Sequence, residues 1–215
     1  FISATGRWAG TTVSGTLAVC DAAGISVFAT GGIGGVHRDA SSTFDVSHDL
    51  PSIAAARAIT VCAGAKAILD LPKTLEYLET AGACVIGYRT KRFPAFYSRD
   101  SGLDLDYYTD SADDVAKAFC LREELRLSGG MLLVTPVPTE REIPASEMEG
   151  AIELAVGEAA KRGVRGKAIT PFILERLSYI TEGRSIACNL ALLQNNAMVA
   201  VEIAIAISRQ RRARV

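Results

Sequence analysis

The sequence lacks an excess of charge of either sign: 23 Lys and Arg face 24 Asp and Glu, a formal net charge of -1. A polyanionic partner selects a strongly basic surface, so general nucleic-acid binding is disfavoured. The one cationic cluster, Arg209 to Arg214, fits a solvated helix end, where positive charge complements the helix dipole. Histidine is scarce, with two residues. The five cysteines (Cys20, Cys62, Cys84, Cys120, Cys188) are odd in number, widely spaced and set in apolar runs. They form neither a disulfide framework nor a zinc motif, which implies a reducing, cytosolic-type compartment. A long uninterrupted apolar run is also missing. The most apolar segment, Ile186 to Ile207, is broken by Asn189, Gln194, Asn195, Asn196 and Glu202, so it makes a poor membrane span and reads as a buried or oligomer-facing helix. No methionine precedes Phe1, and FISATGRWAG is neither a signal peptide nor a credible domain beginning, so the chain is expected to start inside a longer protein.

What is present suffices for one core: 215 residues, 49% of them apolar, read as a single domain over residues 1–215. Thr11 to Ala23 carries small and apolar residues at helical spacing and ends at Gly24, a left-handed cap; Ile25 to Ala29 reads as a strand. Leu50 to Arg57 is a short helix entered through Pro51, and Ala58 to Ala63 a second strand. Ile68 to Thr80 is a helix closed by Gly82, and Cys84 to Gly87 a third strand. Tyr88 to Asp110 reads as a loop long enough to be a functional flap, its aromatics open to an ordinary packing role. A helix follows from a cap at Asp110 or Ser111 to Leu127, then a fourth strand, Met131 to Thr135. Ser146 opens a helix to Arg162 through a capping-box-like Ser146-x-x-Glu149, Thr170-Pro171 starts another, and Ser185 starts the last. Strands alternating with helices predict an α/β fold with a parallel-type central sheet flanked by helices and ligands at the carboxyl ends of strands.

Polar chemistry concentrates from Gly31 to Asp49, GGIGGVHRDASSTFDVSHD, directly behind a strand. A dinucleotide fingerprint fails on spacing, because His37 stands where its third glycine would be, which disfavours a nucleotide-dependent oxidoreductase. The glycines remain open to two readings: a phosphate cradle helped by His37 and Arg38, or a tight turn requiring positive φ. Asp45, Ser47 and Asp49 recur every second residue. In an extended piece they face one side and suit a magnesium- or manganese-type ion; solvated loop carboxylates or a helix cap at Asp49, the commoner case, also explain them. Lys66, among Ala63, Gly64, Ala65, Ala67 and Ile68 at the end of the second strand, is expected to lose charge in apolar surroundings and to be able to attack a carbonyl; a lysine snorkelling to water is the other reading.

The wording of these stretches carries a resemblance. Val27 to Arg38 (VFATGGIGGVHR), Phe44 to Leu50 (FDVSHDL) and Cys62 to Asp70 (CAGAKAILD) closely resemble the pseudouridine-5'-phosphate glycosidase, or indigoidine synthase A-like, family. So do Thr74 to Thr80, Ile86-Gly87-Tyr88, Phe93 to Phe96, Gly166-Lys167 with Thr170-Pro171-Phe172, and Asn189 with Asn195-Asn196-Ala197. The resemblance covers nearly the whole chain and makes it the C-terminal two-thirds or so of a longer glycosidase domain.

It implies reversible cleavage of pseudouridine 5'-phosphate, with water, to uracil and ribose 5-phosphate in a cytoplasmic homotrimer that uses Mn2+. Lys66 matches the nucleophile that forms an imine with the opened sugar, and Asp45 the metal aspartate. Val13, Ser47 and Asp49 match substrate-binding positions, and Thr30, His37 and Asn189 match positions near the sugar phosphate. Three departures are expected to touch the pocket wall: Asp39 where glycine is usual, Ala9-Gly10 in reversed order, and Thr135 in place of asparagine. The family's glutamate proton donor and a further substrate lysine are expected before Phe1. A catalytically silent sugar-phosphate-binding or scaffold domain is the alternative function.

Overall fold

The computed structural model describes residues 5–6, 10–164 and 169–213. Gly166, Lys167, Ala9 and Arg214 lie outside them. Helix α1 (Val13–Ala23) starts where Thr12 Oγ1 accepts the Gly15 N–H at 3.0 Å, buries Val13, Leu17 and Cys20 along one face, and stops at Gly24 with φ 68°. Strand β1 (Val27–Ala29) follows, then a four-residue turn of helix α2 (Ala40–Thr43), helix α3 (Asp49–Ala55) and strand β2 (Ile59–Cys62). Helix α4 (Leu71–Thr80) begins three residues later than its periodicity predicts, because Asp70 caps it by accepting the Lys73 N–H. Strands β3 (Cys84–Tyr88) and β4 (Tyr107–Thr109), helix α5 (Ala112–Glu124), strand β5 (Met131–Val134), and helices α6 (Ala145–Lys161), α7 (Ile169–Ile180) and α8 (Arg184–Arg212) complete the order.

The five strands form one parallel sheet in the order β1-β2-β5-β3-β4. The sequence predicted four. The fifth, β4, is a three-residue edge strand of largely exposed side chains, too short and too wet to show alternation. In the centre, ITVC of β2 and MLLV of β5 are buried throughout, as strands covered on both faces must be. Ile59, Val61, Met131 and Leu133 pack with α5 and α8 on one face. Cys62, Leu132 and Val134 pack on the other with Leu17, Leu50, Ile53, Leu78 and the inner faces of α6 and α7.

The starts of α6 and α8 also differ from expectation. Helix α6 begins at Ala145 behind Pro144 with no side-chain cap, so the Ser146 box does not form. Helix α8 starts at Arg184 because Gly183 (φ 80°) turns the chain, and the Ser185 N–H is taken by Thr181 Oγ1. By length and composition α8 could cross a membrane. Here its inner face packs on the sheet and on α5, and Arg211 near its end pairs with Glu123 at 3.0 Å, in keeping with the solvated basic end.

At the amino ends of the strands, Arg122 spends its donors on three carbonyls: Nε on Gly129 O (2.5 Å), Nη1 on Arg57 O (3.0 Å) and Nη2 on Ala56 O (2.7 Å). Desolvation there holds its pKa below the usual arginine range. Arg122→Leu leaves those acceptors without their charged donor and is expected to cost about 2 kcal/mol of stability, read as a lower urea midpoint at unchanged slope.

Candidate active site

Past its last residue, β1 continues alongside β2. Thr30 N–H donates to Val61 O (3.0 Å), Ala63 N–H to Gly31 O (3.0 Å), Ile33 N–H to Gly64 O (3.1 Å), and Lys66 N–H to Ile33 O (3.1 Å). The glycine stretch is thus an extension of the sheet. The tight-turn reading of its glycines does not hold, and the cradle reading loses one amide. Gly31, Gly32, Gly34 and Gly35 are not among the residues with positive φ, and the Gly34 N–H is already donated to Asp49 Oδ2 (2.9 Å).

These glycines serve close approach. A Cβ on Gly32 would lie 2.5 Å from Phe96 Cδ2; one on Gly34 would lie 2.8 Å from Asp49 Oδ2 and closer still to Ser47. Gly34→Ala is therefore expected to push Ser47 and Asp49 outward and to cost about 1–3 kcal/mol of stability, read as a lower urea midpoint.

At the carboxyl end of the sheet lies a cavity of about 540 Å3. Val13, Thr30, His37, Ser47, Asp49, Lys66 and Asn189 all line it. Helix α1 brings Val13, the end of β1 brings Thr30, the sheet extension brings His37, the turn into α3 brings Ser47 and Asp49, the end of β2 brings Lys66, and α8 brings Asn189. Asp49 is buried, with Oδ1 accepting the Ser14 N–H and Oδ2 the Gly34 N–H, both at 2.9 Å. It ties the start of α1 to the glycine stretch. Lys66 is half-buried, and among the described residues its Nζ has no hydrogen bond or ion pair, which leaves a primary amine addressed to the cavity. Cys62, four residues earlier, is no rival nucleophile, since burial pushes its thiol up to about 12.

Asp45 departs from the expected arrangement. Val46 bridges to Val36, which keeps this piece extended, but His48 already has helical backbone (φ -64°, ψ -11°) and α3 begins at Asp49, so the period-two spacing ends at Ser47. Ser47 and Asp49 face the cavity, whereas Asp45 sits outside it, with its carboxylate 57% exposed and 3.8 Å from His37 Nδ1. No three His, Cys, Asp or Glu side chains converge as a metal-binding group among the described residues. Arg38 also turns away, its Nη2 reaching Ala67 O (3.4 Å). Asp39 and Thr135 do not line the cavity: Asp39 precedes α2 at the surface, and Thr135 is buried with its Oγ1 accepting from Asn195 Nδ2 (3.4 Å).

Other residues here escaped the sequence reading. Phe28, Ile68, Leu69, Phe96, Leu174 and Leu193 supply apolar wall. Asn196, fully buried, donates to Thr30 O (2.8 Å) and Gly31 O (3.2 Å) and so holds the cavity floor against α8. The available signal was the Asn195-Asn196 pair, set with Asn189, Gln194 and Glu202 in a largely apolar segment. A larger hollow of about 1050 Å3 lies at the amino ends of the strands, but the donors of its most enclosed cation, Arg122, are already committed to carbonyls.

The sequence matches the indigoidine synthase A like protein family over residues 1–206. The chain belongs to this family. It is 51% identical over 208 residues to the pseudouridine-5'-phosphate glycosidase of Caldanaerobacter subterraneus subsp. tengcongensis, covering 97% of this chain and 68% of that protein. It is 52% identical over 204 residues to the pseudouridine-5'-phosphate glycosidase of Methylobacterium nodulans, covering 95% of this chain and 60% of that one. The chain thus spans about two-thirds or less of the length of these relatives. Among solved structures, the prealnumycin C-glycosynthase AlnA in complex with ribulose 5-phosphate superposes with a TM-score of 0.89 at 35% identity, over 98% of this chain and 69% of that one. An indigoidine synthase A-like protein of Thermotoga maritima gives 0.81 at 38% identity, over 92% and 64%. As an indigoidine synthase A-like chain, this protein has the parallel sheet flanked by helices that its strand and helix alternation predicts.

Proposed function

We propose that this protein is the enzyme that reversibly cleaves the C-glycosidic bond of pseudouridine 5'-phosphate, giving uracil and ribose 5-phosphate. The observation that carries the reading is the convergence of one lysine amine, unpaired among the described residues, with hydroxyl, imidazole and amide groups in a single cavity at the carboxyl end of the sheet. Glycosidase relatives at about half identity and a C-glycosynthase neighbour that binds ribulose 5-phosphate support it.

A C-glycosidic bond has no heteroatom leaving group, so the sugar needs an electron sink. The Lys66 nitrogen bonds to C1' as the sugar ring opens. The bond from C1' to uracil then breaks, its electron pair taking up a proton on the uracil carbon, and water hydrolyses the imine left on C1' to release ribose 5-phosphate and the free amine. Thr30, His37 and Asn189 hold the phosphate, while the start of α1 at Val13 brings its positive dipole end to the same cavity. Among the described lining residues Asp49 is the one carboxylate, and both of its oxygens already accept N–H groups. The family resemblance assigns the proton to a glutamate outside residues 1–215.

A Mn2+ ion finds one exposed carboxylate, Asp45, with water and substrate left to complete its shell, a regime hard divalent cations tolerate. Held by Asp45, such an ion would supply positive charge near the substrate, and no step here is routed through it. Exposed Ile186, Leu190, Val201 and Ile205 on α8 are the surface for a homotrimer. A reducing, cytoplasmic setting accords with the free cysteines. The test is turnover: the full-length protein with Mn2+ is expected to consume pseudouridine 5'-phosphate and release uracil in equal amount. Binding of ribose 5-phosphate without turnover would leave the silent sugar-phosphate-binding domain.

A further inference from the structure

The segment Phe93 to Tyr97 docks onto the arm that carries Lys66. Phe96 N–H donates to Ala63 O (3.0 Å), and Ala95 bridges to Gly64, whose φ of 84° admits the chain at Pro94. Phe96 itself has φ 64°, a left-handed backbone that a bulky side chain rarely adopts. Such strain persists only where the surroundings enforce it, and it gathers at functional sites. The enforcement is visible. The Phe96 ring lies over Gly32, where any Cβ would collide with it, and meets the buried Tyr97 edge to face, with centroids 4.8 Å apart and planes at 85°. Tyr97 is fixed in turn, its carbonyl accepting the Ile143 N–H (3.0 Å). The result is an aromatic ring, 6% exposed, in the cavity wall, tied through one hydrogen bond to the strand end that presents the lysine.

Resting on the glycosidase reading, we propose that Phe96 is the specificity-determining wall for the nucleobase, with the planar pyrimidine lying against its ring beside Lys66. The bond that breaks joins C1', the atom Lys66 attacks, to the base, so the base must lie next to this amine. The hydroxyl, imidazole and amide groups of Thr30, His37, Ser47 and Asn189 suit the sugar and phosphate. A flat neutral ring needs an apolar face, and among the described residues the cavity offers two, Phe28 and Phe96. Phe28 belongs to β1, whereas Phe96 is bonded to the Lys66 arm itself.

The test uses the full-length protein in the synthetic direction, with Phe96→Gly and Phe96→Tyr. Glycine suits the left-handed backbone and deletes the ring; tyrosine keeps the face. For Phe96→Gly the KM for uracil is expected to rise roughly 10-fold or more, the range of one lost aromatic–base stack. The KM for ribose 5-phosphate and borohydride trapping of that sugar on Lys66 should stay within about 2-fold, and Phe96→Tyr should retain the uracil KM. An unchanged uracil KM in Phe96→Gly, or equal rises in both KM values, overturns the assignment while trapping still succeeds. Failure of the unmodified protein to trap the sugar and to turn over overturns the glycosidase reading and this wall with it.

Discussion

Lys66→Ala is expected to abolish turnover, on the order of 10³-fold or more, and to leave the fold intact. The size follows from the chemistry: without an amine the opened sugar has no nitrogen to hold C1', and no other side chain in the cavity replaces it. The described lining residues supply hydroxyls, an imidazole, amides and one committed carboxylate, while burial pushes the thiols of Cys62 and Cys188 up to about 12 and about 11. Stability should change little because the Lys66 side chain is half-buried and makes no hydrogen bond or ion pair among the described residues; only its backbone is tied in, by Ile33 O and Leu69 N–H. Steady-state rates together with a thermal melt check both halves. Turnover within about 10-fold of the unmodified protein would remove lysine from the reaction.

Asp49→Ala should do the reverse and lose structure before chemistry. Both of its carboxylate oxygens accept backbone N–H groups from segments far apart in sequence, Ser14 at the start of α1 and Gly34 in the sheet extension. Removing the carboxylate strands two donors in a buried place, at about 1–3 kcal/mol each, so a loss of about 2–6 kcal/mol is expected. Because those two segments form the floor and one wall of the cavity, affinity for ribose 5-phosphate should fall with it. Urea denaturation and calorimetric titration are the measurements. A variant of normal stability that binds the sugar phosphate poorly would instead make Asp49 a direct ligand of the substrate.

The central sheet was legible because its strands are unusually plain. MLLV is a short apolar run between Gly129-Gly130 and Thr135-Pro136, and in ITVC the one polar residue, Thr60, is itself fully buried, as a strand covered on both faces allows. The edge strand Tyr107–Thr109 carries no such signal. The site was legible where chemistry required rare residue types, at Lys66, His37 and Asp49. Local periodicity carries less: Asp45, Ser47 and Asp49 share a spacing, but the helix start at Asp49 ends the extended piece, and Ser47 and Asp49 line the cavity while the Asp45 carboxylate is 57% exposed, 3.8 Å from His37 Nδ1. The glycines show the same limit. Their need is tertiary, the nearness of Phe96, Ser47, Asp49 and Thr74, and no local rule encodes it. Asn196 likewise has a purpose only once α8 lies under Thr30 and Gly31.

The most direct measurement treats the full-length protein with ribose 5-phosphate and borohydride, then maps peptides by mass spectrometry. The sugar aldehyde condenses with an amine, losing water, and hydride reduces the imine to a stable secondary amine. One such adduct is expected, on Lys66, absent without sugar and absent in Lys66→Ala. An enzyme that turns over normally yet carries no adduct, or carries it on another lysine, would contradict the account.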